Sequence, residues 1–206
     1  MPLNEALGRK MYNESQARKK VLELVNKPDR SHDQDEFVIS SIRMSENKDY
    51  WIVHANSKAY VEDGDTSRCY VGVGAYILDS ETGEIEIIGS AESPEHFLQD
   101  KYDLKLANGK HYILACGHDV KDKKAIVNIH QVFNCPLTKT KNLLRDNRNW
   151  FSGKKRHLKE AQRFMDSKGI KTEIKLSDID SSIAKINSEI IWWEAMEKII
   201  ANELLA

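Results

Sequence analysis

Apolar residues first recur with a clear period over residues 14–26, where Ala17, Val21, Leu24 and Val25 fall at helical spacing and Pro28 supplies the stop. After a polar loop over 29–35 the period shortens. Phe37-Val38-Ile39 with Ile42 begins a β-rich stretch, and Tyr50-Trp51-Ile52-Val53-His54 reads as a strand from its aromatic and β-branched content. Glu62-Asp63-Gly64-Asp65 reads as a turn. Residues 75–79 and 84–88 flank Ser80-Glu81-Thr82-Gly83, which predicts a hairpin in which Gly83 takes the positive φ. Ser93-Pro94-Glu95 predicts a helix start: Ser93 caps, Pro94 sits where a missing N–H costs nothing, and Glu95 meets the positive end of the dipole. The helix continues over 96–102.

Residues 104–110 are the predicted domain boundary. Beyond it, 111–116 and 125–133 are predicted as strands around a charged turn at 119–124. A short helix runs from Pro136 to about 145. A longer one covers 154–168, with Leu158, Ala161, Phe164 and Met165 on one face and Gly169 as its stop. Residues 172–176 alternate as a strand does. Residues 180–205 are predicted as one helix, about 38 Å long at 1.5 Å per residue. On it, Trp192 and Trp193 point about 100° apart, so one ring can meet the chain's own core while the other, with Met196, meets a partner. The fold class is therefore α+β: a small antiparallel-sheet domain (1–107), a small α/β sandwich (108–177) and a long C-terminal helix (178–206).

Composition narrows the class. Of 206 residues, 40% are hydrophobic and 31% charged, enough apolar material for packed cores. No apolar run approaches the roughly 18 residues of a spanning helix. The start, Met1-Pro2-Leu3-Asn4-Glu5, has no basic end followed by an apolar core, so no secretory signal is expected. Three widely spaced cysteines, Cys69, Cys116 and Cys135, argue against a disulfide scaffold and for a reducing cytoplasm. The net charge of -1 hides a polarity: residues 36–103 hold 5 basic against 14 acidic side chains, residues 108–177 hold 16 against 6, and residues 178–206 hold 2 against 6. Such segments either attract each other or face different partners.

Candidate chemistry adds little catalysis. Cys116-Gly117-His118 with His111, His130 and Cys135 is the densest set of metal-ligand types, but it has none of the paired spacings that zinc sites use. Cys135 precedes Pro136 at a helix start, where a dipole lowers a thiol pKa; Asp63 and Asp65 read as turn residues around Gly64. Gly72-Val73-Gly74 has no strand-turn-helix setting, and there is no phosphate-loop motif. No catalytic residue, metal or cofactor is expected. Lys154-Lys155-Arg156 and Lys159, just after Trp150-Phe151, combine cations with aromatics; single-strand binders use such groups, as do surfaces that capture acidic proteins. Of these two partners nucleic acid is the less favoured, and no membrane is expected as partner.

The run from Tyr76 to Asp100 carries a resemblance. Its strand ending in Asp79, its Thr82-Gly83-Glu84 hairpin, its Gly89-Ser90-Ala91 step and its Phe97-Leu98-Gln99-Asp100 helix occur in the order found in YrhB-type proteins, a family grouped with the immunity proteins of bacterial polymorphic-toxin systems. The likeness covers about residues 10–103. Residues 110–176 resemble the C-terminal domain of the bacterial ribosomal stalk protein, in the order strand, strand, helix, helix, strand. Tyr112–Gly117 stands for its first strand and glycine, Leu137, Lys141 and Leu144 for its first helix, and Glu160-Ala161 with Gly169-Ile170 for its second. Phe133-Asn134-Cys135-Pro136 replaces that family's glycine-rich approach, so its GTPase-binding surface is not carried over.

The first resemblance implies a cytoplasmic immunity protein, not an enzyme. It would bind a cognate antibacterial toxin 1:1 and occlude its active site. The stalk-like module suggests a toxin acting on translation. The contact residues expected are Trp150, Phe151, Lys154, Lys155, Arg156, Trp192, Trp193 and Met196. The rival readings are a chaperone-like holding protein and an RNA- or ribosome-associated factor that uses the basic module.

Overall fold

The computed structural model describes residues 11–27, 35–119, 121–144, 149–178, 183–187 and 193–200. The order is α1 (Glu14–Val25), β1 (Phe37–Met44), β2 (Tyr50–Ser57), α2 (Lys58–Val61), β3 (Val73–Asp79), β4 (Ile85–Gly89), α3 (Pro94–Ala107), β5 (His111–Cys116), α4 (Lys123–Val132), α5 (Leu137–Leu144), β6 (Asn149–Gly153), α6 (Lys155–Ser167), β7 (Thr172–Ser177), β8 (Ala184–Ile186) and α7 (Trp193–Ile199). The fold is α+β. It divides into two compact units, Met1–Leu98 and Gln99–Ala206, so the division falls inside α3 and upstream of the boundary read from the sequence.

The first unit is an antiparallel meander in the order β1-β2-β3-β4. Asn13 starts α1 through a capping box: its side chain accepts from the Gln16 amide at 2.9 Å, and the Gln16 side chain accepts from the Asn13 amide at 3.0 Å. Ala17, Val21 and Val25, four apart, form the buried stripe that meets Val53, Tyr76 and Leu78. The β3–β4 connection explains its own sequence. Asp79 Oδ1 accepts from the amides of Glu81 and Thr82, both at 2.9 Å, and Thr82 Oγ1 accepts from the Glu84 amide at 3.1 Å. Gly83 adopts φ +72°, and a Cβ there would meet the Tyr12 ring at 2.5 Å. Ser93 Oγ then accepts from the His96 amide at 3.1 Å and opens α3.

The second unit carries a four-stranded sheet in the order β7-β5-β6-β8. β5 runs antiparallel to both neighbours, and β6 pairs in parallel with β8. The core gathers Leu114, Ile129, Leu143, Trp150, Phe151, Leu158, Met165 and Met196. Residues 125–133, expected as a strand, are helical. Asp122 caps α4, accepting from the Lys124 and Ala125 amides at 3.0 and 3.1 Å. The buried residues Ala125, Ile129 and Phe133 then recur every four positions, while Val127 is 49% exposed. The β-branched composition of this run favours a strand, but the period of its buried positions is helical. From 111 to 177 the order is thus strand, helix, helix, strand, helix, strand, not the one the stalk-like reading expected.

The single helix expected over 180–205 is also corrected. Residues 184–186 form β8, whose Ala184, Lys185 and Ile186 pair with Phe151, Ser152 and Gly153. Ile186 turns into the core and Lys185 away from it, the period of a strand. The helix that follows is α7, with Met196 and Ile200 buried four apart. Gly153 admits β8: a Cβ at that position would lie 2.6 Å from the Ile186 carbonyl oxygen.

Candidate functional site

Helix α6 starts under electrostatic stress. Lys154, Lys155 and Arg156 sit at the end where the backbone dipole is already positive, and the cap residue, Lys154, offers no side-chain acceptor. The compensation comes from α3. Asp100 and Asp103, three residues apart, share a helix face. Asp100 accepts from Arg156 Nε through both carboxylate oxygens, at 3.1 and 3.2 Å, and pairs with Lys154 Nζ at 2.7 Å. Asp103 pairs with Lys155 Nζ at 3.2 Å and accepts from Gln99 Nε2 at 3.3 Å. Both aspartates are buried, so removing one leaves cations without the partner that offsets their desolvation. Tyr112 completes the cluster. Its hydroxyl donates to the Asp103 carbonyl at 3.1 Å, and Lys155 Nζ lies 5.1 Å from its ring centroid.

These groups surround a cavity of about 200 Å³. It forms where β5 begins and β6 ends, which antiparallel pairing of Ile113 with Ser152 places side by side. Lys110, Ser152 and Lys185 also reach its wall, and Leu104, 67% exposed, forms an apolar lip. The next residue of α6, His157, turns inward. Burial, and then the Arg156 cation, hold its imidazole below the ordinary value, and among the described residues its buried Nδ1 has no hydrogen-bond partner.

The residues expected as contacts separate into three groups. Lys154, Lys155 and Arg156 are brought together at the cavity, but each is already engaged by an aspartate. Trp150, Phe151 and Met196 are fully buried and belong to the core. Trp150 meets Phe133 edge-on at a centroid separation of 6.4 Å and donates from Nε1 to the Leu143 carbonyl at 3.3 Å. Neither Trp150 nor Phe151 presents a face for a base to stack on or a partner to cover. Both belong to β6, which lies between β5 and β8 and buries residues 150–152 in succession. Trp192 lies outside the described residues, and Trp193 is placed only as the first residue of α7. The reading from sequence missed Asp100, Asp103, Lys110, Ser152 and Lys185. The available signal was the i, i+3 spacing of the two aspartates on a helix.

Two of the three cysteines are buried. Burial, aided by the nearby Glu173 charge, raises the Cys116 thiol pKa against a backbone hydrogen bond that lowers it, so the group stays protonated at neutral pH. Cys135 is buried with its Sγ 3.3 Å from Thr140 Oγ1. Among the described residues, no three His, Cys, Asp or Glu side chains gather as metal ligands, and no helix is long and apolar enough to cross a membrane.

Comparison with known proteins reaches one segment. Fifty-seven residues are 33% identical to the uncharacterized protein YrhB of Escherichia coli (strain K12). The match takes in 28% of this chain and spans 60% of YrhB. No family model matches the chain, and no solved structure matches it. The chain thus contains a YrhB-like segment, while the likeness of residues 110–176 to the ribosomal stalk domain finds no support in the comparisons.

Proposed function

We propose that this chain is a non-catalytic binding protein of the immunity class, one that captures a cognate antibacterial toxin in the cytoplasm of the producing cell and occludes its active site. The observation that carries the reading is the run from Tyr76 to Asp100. Several steps of the pattern that resembles YrhB-type proteins are supported by local structure: β3 ends at Asp79, Asp79 and Thr82 tie the hairpin, Gly83 turns it, and Ser93 starts α3. The 57-residue likeness to YrhB supports the resemblance and carries no activity of its own. The charge of the second unit suits rapid capture of an acidic partner, because complementary fields raise association rates. Burial of Trp150 and Phe151 removes the stacking rings on which an RNA-binding reading relied.

The test is genetic and then biochemical. The product of the adjacent reading frame, expressed alone, should arrest growth, and co-expression of this chain should restore it. The purified pair should elute as a 1:1 complex. A neighbour that is harmless alone, or toxicity that this chain leaves untouched, overturns the reading.

A further inference from the structure

We propose that the cavity at the start of α6 binds a small oxyanion, a phosphate or carboxylate group, held by Lys110, Lys185 and the Ser152 hydroxyl. The site stands apart from the immunity reading and survives its failure. Three observations converge on it. The first is charge. Asp100 and Asp103 engage Lys154, Lys155 and Arg156, yet the cavity wall also carries Lys110 and Lys185, which have no carboxylate partner among the described residues. The wall therefore keeps a positive surplus after its own acids are counted. The second is Ser152. It is 4% exposed, it lines the cavity, and among the described residues its hydroxyl makes no hydrogen bond. A hydroxyl that lines the cavity without a protein partner can donate to a bound acceptor there.

The third is register. Ser152 of β6 pairs directly with Lys185 of β8, so both side chains leave the same face of the sheet, and the head of α6 adds the positive end of its dipole to that wall. Size sets the class. Sites for whole drug-sized ligands run to about 300–1,000 Å³. At about 200 Å³ this cavity suits a single charged group, either a free ion or the tip of an acidic side chain.

The experiment titrates the isotopically labelled full chain with inorganic phosphate, and separately with N-acetyl-aspartate amide, each against sodium chloride at matched ionic strength. Backbone amide shifts at Lys110, Ser152 and Lys155 are followed. The expected result is saturation of these amides with one shared dissociation constant. Lys110→Gln with Lys185→Gln should weaken it by about tenfold or more, as loss of charge-assisted hydrogen bonds does, and Ser152→Ala by less. Lys139→Gln, on α5, should leave it unchanged. The spectra report folding of every variant. Tighter binding of phosphate assigns a free ion; tighter binding of the aspartate derivative assigns an acidic side chain of a partner. Linear shifts that never saturate, or equal affinity in the double variant, overturn the site.

Discussion

The two units handle charge in opposite ways. The first, Met1–Leu98, carries 11 basic against 18 acidic residues; the second, Gln99–Ala206, carries 20 against 14. Ion pairs of the first unit lie mostly in water: Arg43 with Glu95 has side chains 51% and 60% exposed, and Arg18 with Glu14 has 42% and 54%. Pairs of that kind contribute about 0–1 kcal/mol. In the second unit the carboxylates of Asp100 and Asp103 are 9% and 7% exposed and each answers cations at the head of a helix. Those two aspartates close the acidic stretch of the sequence, yet they belong to the basic unit. Part of the polarity along the chain is therefore settled inside one unit, and the run Lys154-Lys155-Arg156 is a structural cluster before it is a recognition patch.

The comparison implies that the cores matter alike while the charges do not. Trp150→Ala should produce the largest loss, about 3–5 kcal/mol, since it empties a fully buried ring site and frees the Leu143 carbonyl. Tyr76→Ala in the first unit should fall in the same range. Urea denaturation of both variants checks this; a loss below about 1 kcal/mol in either would show that its ring site can collapse or that the ring is not in the core. Next comes Gly153→Ala, at about 2–3 kcal/mol, because the new methyl group meets the backbone oxygen of Ile186, which cannot swing aside as a side chain can. Faster hydrogen exchange at the β6 and β8 amides should accompany it.

Ion pairs give the sharpest contrast. Asp100→Asn should cost about 2 kcal/mol; the figure for a fully buried pair is higher, but Arg156 and Lys154 keep 28% and 49% of their side chains in water. Glu95→Gln should cost about 0.5 kcal/mol or less. Both are read from urea midpoints at low and high salt, with only the second expected to fade fully in salt. Equal losses would dissolve the distinction between the units.

Much of the first unit was legible because its signals are local. The helical spacing of Ala17, Val21 and Val25, the hairpin turned by Gly83, and a Ser-Pro-Glu helix start each act within a few residues, and the structure forms all of them. The errors lie where a longer context decides. Residues 125–133 are rich in β-branched side chains, but the cap at Asp122 and the four-residue recurrence of buried positions make them helical. Residues 184–186 become a strand because β6 has an open edge that Gly153 lets them approach, a partner more than 30 positions away in sequence. The candidate site shows the same division. Its cations were visible as a run, but Asp100, Lys110, Ser152 and Lys185 come from separate elements and meet only through the pairing of β5, β6 and β8.

The smallest effect is one of pH. In the second unit, His157 has its imidazole lowered in the folded state by burial and by Arg156, from an ordinary value of 6.5. Above that value the histidine is neutral in both folded and unfolded chains and pH changes nothing. As pH falls through 6.5 the unfolded chain takes up the proton first, so stability drops until the folded-state value is reached. In the first unit, Asp35 is lowered from 3.8, chiefly by its hydrogen bond from Arg68, and Glu95 from 4.5, chiefly by a backbone hydrogen bond. Their stabilisation is complete above those ordinary values and fades only below them. Urea midpoints measured from pH 8 to pH 5 should therefore fall slightly below about 6.5 in the natural chain and stay level in His157→Gln. Between pH 5 and pH 3, Arg68→Gln should remove the Asp35 part of the separate acid loss, keep the Glu95 part and leave the histidine step intact. A His157→Gln variant that still loses stability between pH 6.5 and pH 5 would move that titration to another group.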